Sequence, residues 1–191
     1  MKYQSPILSA AEIRALCIGT NSPMISPFSE QYHWNNLSAG LDYNGYCSTL
    51  GGTWVTNDAE VIDFANLAEY RKHNHEIKAD RFELEPHGCV LAVSEQKFKM
   101  PNDIMALSFG KSTIARGFAT SLMTPIEAGW EGYLTYEIVN LNPKTRAVLY
   151  RGMVITQFIF LRVALSTGYT GQYQNQPNRP ISAAGMPITT S

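Results

Sequence analysis

Side chains between Tyr133 and Val139 alternate with a period of two, the clearest strand pattern in this chain. Successive side chains of an extended backbone point to opposite sides. Tyr133, Thr135, Glu137 and Val139 therefore share one face of a predicted strand, and Leu134, Tyr136 and Ile138 the other. Further strands are predicted over Met24 to Phe28, Asp42 to Cys47, Thr53 to Thr56, Glu60 to Phe64, Arg81 to Glu85, Gly88 to Val93, Arg146 to Tyr150 and Val154 to Leu161. Helical spacing is confined to Ser9 to Cys17, where Ser9 caps, Glu12 completes an S-x-x-E box, and Ile13, Leu16 and Cys17 form the apolar stripe. About ten short strands with turn signals at close intervals and little helix predict an all-β fold.

After Ala164 the pattern stops, and STGYTGQYQNQPNRPISAAGMPITTS is nearly all small and polar. Such a stretch cannot bury enough apolar surface to offset its ordering entropy. One β domain over residues 1–165 and a flexible C-terminal tail over 166–191 are expected.

Composition narrows the function classes. A chain of 191 residues suits one domain that buries about 70 % of its unfolded surface without a metal or disulfide staple. A net charge of -1 and a pI near 6.4 argue against a broad basic surface for DNA or RNA. Cys17, Cys47 and Cys89 are odd in number and widely spaced, which fits reduced core thiols. The first seventeen residues lack the apolar core of a signal peptide, and the most apolar run, Met153 to Leu161, is broken by Thr156 and Gln157. A soluble, cytoplasmic protein without a membrane partner is expected.

Candidate chemistry gathers between Ser108 and Asn140. Gly110, Lys111, Ser112 and Thr113 form a glycine-led turn with a cation and two hydroxyls, a combination that can hold phosphate. It is not a Walker loop, because Met105 stands where the first glycine belongs. A helical turn from Ser112 to Arg116 sets the hydroxyl and the guanidinium on one face. Glu137 is a lone carboxylate on an apolar strand, and burial opposed by a guanidinium such as Arg116 tunes a carboxyl for proton transfer. Taken singly, the turn also fits an ordinary surface loop and Glu137 an edge-strand residue. His73 and His75 have the spacing of a ligand pair, but no cysteine or third histidine sits near; a solvated loop is the simpler reading and no metal ligand is assigned.

Read together, G-K-S-T-x-A-R (Gly110 to Arg116), T-P-x-E-x-x-W-E-G (Thr124 to Gly132) and Y-x-T-x-E-x-x-N ending at Asn140 resemble the dCTP deaminase family of the trimeric dUTPase-like superfamily. The resemblance extends through Val90 to Pro101 and Tyr150 to Phe160, and Ser38, Asp42 and Gly45 are the nearest equivalents of an upstream S-x-x-x-D-x-x-x-G segment, with the glycine one residue early. It implies a distorted jelly-roll-like β-barrel of the dUTPase type and a homotrimer with sites between subunits. Glu137, Arg116 and Ser112 take the catalytic roles: Glu137 as general base and then acid, Arg116 holding its carboxylate, Ser112 positioning water or the base edge. Lys111, Thr113 and Gln157 are implied as phosphate contacts, Glu127 as the acceptor for the deoxyribose 3′-hydroxyl, and Thr135, Tyr169 and Gln176 as further nucleotide-binding residues. The tail is implied to close over the nucleotide, although Gln172 replaces the lysine of the family's K-Y-x-x-Q segment.

The chain lacks the H-x-E and P-C-x-x-C motifs with which zinc deaminases activate water, so hydrolysis is expected to run without zinc, with Mg²⁺ arriving on the triphosphate. Three readings compete: a dCTP deaminase yielding dUTP and ammonia; a dUTPase or bifunctional enzyme releasing dUMP and pyrophosphate; and a non-catalytic nucleotide-binding trimer. Glu137 favours the first, since the dUTPases of this superfamily generally lack the strand glutamate.

Overall fold

The structure is a computed structural model and describes residues 5–122, 124–164 and 166–183. It opens with α1 (Ala10–Ala15), β1 (Ile25–Ser26), β2 (Tyr32–Trp34), β3 (Leu37–Asp42) and β4 (Gly45–Asn57). There follow α2 (Leu67–Arg71), β5 (Asn74–Lys78), β6 (Arg81–Leu84), β7 (Cys89–Lys99), β8 (Ile104–Gly110) and α3 (Ser112–Arg116). It ends with β9 (Ala119–Leu122), β10 (Glu131–Asn140), β11 (Ala147–Tyr150) and β12 (Val154–Arg162). The predicted cap is present, with the Ser9 N–H donating to Glu12 Oε2 at 2.8 Å and the Glu12 N–H to Ser9 Oγ at 3.4 Å.

β4 organises the fold. Its first half pairs with β3 and β12, its second half with β5 and β7, and every pairing is antiparallel. The sheet thus curls about a single thirteen-residue strand into a half-barrel. Beyond β7 lie β10 and β9, and beyond β12 lies β8. Trp54, Tyr46, Tyr136, Phe98, Phe158 and Phe160 are fully buried and fill the interior. A polar thread crosses it: the Tyr136 hydroxyl donates to Ser48 Oγ at 2.6 Å and the Ser48 hydroxyl to Gln96 Oε1 at 2.6 Å.

Three expectations are corrected. Asp42 to Cys47 is not a strand of its own but the turn joining β3 to β4. Thr53 to Thr56 is the distal part of β4 rather than a separate strand. Glu60 to Phe64 is an exposed loop, with Val61 and Phe64 about three-quarters accessible and no neighbouring strand to pair with among the described residues. The segment predicted to be a flexible tail lies along β10 through residue 183. Trp130 Nε1 donates to the Tyr173 carbonyl at 2.7 Å, the Tyr133 N–H to the Gln176 carbonyl at 3.1 Å, and the Ile181 N–H to Thr135 Oγ1 at 2.9 Å. Two glycines allow this approach. Gly129 has φ +78°, and an added Cβ there would lie 2.6 Å from the Gly168 Cα; at Gly132 it would lie 2.6 Å from the Gln176 nitrogen. Residues 184–191 of the expected tail lie outside the described residues.

Candidate active site

The face of β10 turned away from the interior carries Glu137, and the neighbouring strands build a floor around it. Glu137 pairs with Leu91 of β7 and Leu122 of β9, and Leu91 in turn with Val55 of β4. The loop from Thr124 to Glu127, Trp130 and the returning chain from Tyr169 to Ala183 supply the walls and roof. They enclose a cavity of about 640 Å³, within the range of pockets for small-molecule ligands.

The alternation along β10 is not strict. The pairing of β10 with β7 shifts between Tyr133 and Thr135, a bulge that turns Leu134 toward the cavity together with Thr135 and Glu137. Leu134 packs against the core that holds Tyr136 and Ile138 and also borders the cavity, and its N–H donates to Ser94 Oγ at 2.9 Å. Across the shift β7 carries Ser94, Glu95 and Gln96 against the single Leu134 of β10, two extra residues just before the carboxylate.

Glu137 is half-buried, and burial raises its pKa from 4.5 to about 7, opposed only by a hydrogen bond from its own backbone. Its carboxyl is poised to exchange a proton near neutral pH. Glu127 lines the same cavity from an exposed turn, and Thr135, Tyr169 and Gln176 line it as well. Glu127 and Glu137 are the only charged side chains among the described lining residues, and no histidine is among them.

The remaining predicted residues gather elsewhere. Lys111 Nζ lies 3.2 Å from both Ser38 Oγ and Cys47 Sγ, and Gln157 Nε2 donates to Asp42 Oδ2 at 3.3 Å. Ser112, Thr113 and Arg116 stand exposed on α3, which begins next to Lys111. Within one chain, the proximity of Arg116 to Glu137 expected from sequence does not occur, because α3 contributes nothing to the cavity wall.

Several lining residues were missed in the sequence. Trp130 and Tyr173 meet through an indole-to-carbonyl hydrogen bond, and Asn57, Asn74 and Ile181 come from segments far apart in the chain. The T-P-x-E-x-x-W-E-G run marked Trp130 and the K-Y-x-x-Q-like segment held Tyr173, but no local pattern marked Asn57, Asn74 or Ile181. Cys89 is an exposed residue of the cavity wall rather than core filler, its thiol pushed up by burial and by the charge of Glu137. His73 and His75 flank the Asp58 carboxylate at 3.1 and 2.9 Å, and no group of metal-binding side chains occurs among the described residues.

Comparison with known proteins bears on this geometry. The dCTP deaminase from Nautilia profundicola is 39% identical over 145 residues, 74% of this chain and 76% of that protein. The dCTP deaminase from Acidobacterium capsulatum is 33% identical over 165 residues, 80% of this chain and 87% of that protein. A crystal structure of 2′-deoxycytidine 5′-triphosphate deaminase from Agrobacterium tumefaciens superposes with a TM-score of 0.62 at 21% identity, covering 85% of this chain. This chain spans about half of that one, 49%, and at such identity the likeness establishes the fold alone. Residues 7–163 match the family model described as dCTP deaminase-like, a span that includes the floor of the cavity, Glu137 and the separate Lys111 cluster, and the chain belongs to that family.

Proposed function

We propose that this protein is a dCTP deaminase, converting dCTP and water to dUTP and ammonia. The observation that carries the reading is Glu137, a half-buried carboxyl with a pKa near 7 on the floor of a partly open cavity. The relatives named dCTP deaminase support it independently. In this reading Glu137 takes a proton from water as the oxygen bonds to C4 of cytosine. It delivers that proton to N3, then takes the proton of the new C4 hydroxyl and passes it to the amine, so that C4 becomes the carbonyl of dUTP as the C4–N bond breaks and ammonia leaves. Such positioned proton transfer contributes on the order of 10²- to 10⁴-fold. The carboxylate does this without zinc, a role that suits a cavity whose polar groups are carboxyls, amides, hydroxyls and one thiol. Glu127 receives the 3′-hydroxyl, while Thr135, Tyr169 and Gln176 hold the nucleoside from the strand and from the returning chain.

The triphosphate needs cations that the cavity wall does not offer. We assign that task to α3 of a neighbouring copy in a homotrimer. Lys111, Thr113 and Gln157 hold phosphate oxygens, Ser112 positions the water and Arg116 faces Glu137 across the interface. Phe118, Leu122 and Leu141, around α3 and β9, are each more than half exposed, and an assembly would cover them. Mg²⁺ enters as part of the substrate, bridging phosphate oxygens that one lysine cannot neutralise. The same reading has the enzyme act in the cytoplasm on free nucleotide rather than on DNA or RNA. Among the described residues no helix is long and apolar enough to cross a membrane.

A second reading rests on Glu127, which lines the same cavity and stands near the position of the water-activating acid in dUTPases of this superfamily. A bifunctional enzyme would carry dUTP on to dUMP and pyrophosphate. Chromatography of products from Mg²⁺-dCTP and Mg²⁺-dUTP separates the two: dUTP from dCTP with dUTP left intact supports the deaminase, and dUMP from either supports the bifunctional enzyme. Glu137→Gln is expected to lower deamination by about 10²- to 10⁴-fold. Turnover of dCTP at the parent rate by that variant would refute the assignment.

A further inference from the structure

The cavity does not stop at Glu137. From the end where Trp130, Tyr169 and Tyr173 meet, it runs along β10 past Thr135 to Glu137 and continues beyond. On the far side the floor crosses from β10 to β7 and β4, two inter-strand spacings or about 10 Å past the carboxylate. Leu91 and Val55 pave it, Ile62 and Ile181 cover it, and Asn57, Asn74 and Tyr70 close the end.

The end wall is neutral and its amides are engaged. Asn57 Nδ2 donates to the Tyr70 carbonyl at 2.8 Å and to Asn74 Oδ1 at 2.9 Å; Asn74 Nδ2 donates to Ser182 Oγ at 2.7 Å. With no cation on its wall, this compartment does not suit a triphosphate or an anionic group. In the deaminase reading Glu137 meets C4 and N3, so cytosine bound with its sugar toward Glu127 would turn the opposite, C5 edge away from the carboxylate and toward the compartment. The departing amine stays at the carboxylate and leaves most of the space unfilled.

We propose that this compartment receives a small uncharged substituent on C5 of the base, so that the site takes 5-substituted dCTP as well as dCTP. The proposal rests on the deaminase reading above and names its substrate class more closely. Ile62 is a specificity-determining residue on this view, because it covers the compartment from an exposed loop and has no part in the proton transfers.

The test compares kcat/KM for dCTP, 5-methyl-dCTP and 5-hydroxymethyl-dCTP in the parent and in Ile62→Trp. In the parent, the substituted nucleotides are expected within about threefold of dCTP, whereas a group forced into a full pocket would cost about 10- to 200-fold. Ile62→Trp fills the compartment and is expected to reduce turnover of the substituted nucleotides by at least about tenfold while leaving dCTP unchanged. Turnover of dCTP alone in the parent overturns the compartment and leaves the deaminase standing. Equal effects of Ile62→Trp on all three substrates also overturn it. No turnover of any of them removes the deaminase reading and the compartment with it.

Discussion

The cavity on β10 and the cluster around Lys111 are built on opposite principles. The first is a partly open hollow, floored with aliphatic side chains, and holds a carboxyl whose proton affinity is raised by burial. The second lies at a strand end, where a lysine is held by a hydroxyl and a thiol beside a helical turn open to solvent. A low-dielectric pocket is where a carboxyl gains a pKa near 7, and it is a poor place to keep an unpaired cation. A phosphate-binding turn keeps its cations hydrated until the ligand arrives. On the proposed reading each region is half of a site, and symmetry in a closed oligomer is the economical way to join them.

Mixing variants tests that division with the largest expected signal. Glu137→Gln and Arg116→Ala are each expected to be nearly inactive when prepared alone. Refolded together at equal amounts, they form trimers in which some interfaces unite an intact Glu137 from one copy with an intact Arg116 from the next. Random assembly restores about one quarter of the parent activity per site. Recovery no greater than the sum of the separate variants would place both residues on one chain.

The pH profile sharpens the same contrast. The base must be ionised, so kcat/KM falls about tenfold for each pH unit below the pKa of Glu137. Burial alone puts that pKa at about 7, and a guanidinium from a neighbouring copy lowers it. The break in the parent profile is therefore expected below 7, and that of the residual activity in Arg116→Ala closer to 7. Stability has the opposite sign. A carboxyl whose folded pKa lies above its unfolded value of 4.5 destabilises the protein once ionised, a cost that develops as pH rises from 4.5 to about 7. Glu137→Gln at pH 8 is expected to melt no lower than the parent.

Gly132→Ala probes the roof with a smaller effect. Its Cβ would crowd the Gln176 nitrogen at 2.6 Å and dislodge the returning chain. KM for dCTP is expected to rise about tenfold, of the order of one or two lost hydrogen bonds, with faster proteolysis between residues 170 and 183. An unchanged KM would mean that the roof takes no part in nucleotide binding.

These contrasts were unevenly legible in the sequence. The alternation through Tyr136 and Ile138, the Ser9–Glu12 cap and the helical turn from Ser112 to Arg116 are local, set by period and capping chemistry, and could be read directly. The bulge at Leu134 was hidden, because a register shift depends on the partner strand β7 and not on β10 alone. The polar composition after Ala164 predicted a flexible tail, and only the resemblance implied that it closes over the site; its backbone hydrogen bonds to β10 need no apolar side chains, and two glycines admit them. The far end of the cavity joins Val55, Tyr70 and Leu91 through strand order, which no window along the chain reveals. The residues proposed for the chemistry stand in recognisable motifs, but a motif does not say whether one chain or several bring such residues together.

The smallest expected effect separates support of the fold from support of the chemistry. Tyr136 precedes Glu137 on β10 and points the other way, fully buried, its hydroxyl donating to Ser48 within the Gln96 thread. Tyr136→Phe removes that donor but leaves the Ser48 hydroxyl bonded to Gln96, so the loss is near that of one buried hydrogen bond, about 1 kcal/mol. For a chain of this size that corresponds to a melting temperature lower by about 2–4 °C. Activity is expected to hold, because the floor around Glu137 is made by Leu91, Val55 and Leu122 on the other face and is untouched by the change. A variant that melted normally but lost deamination would show the opposite: that the thread beneath the strand, and not the floor above it, fixes the carboxylate.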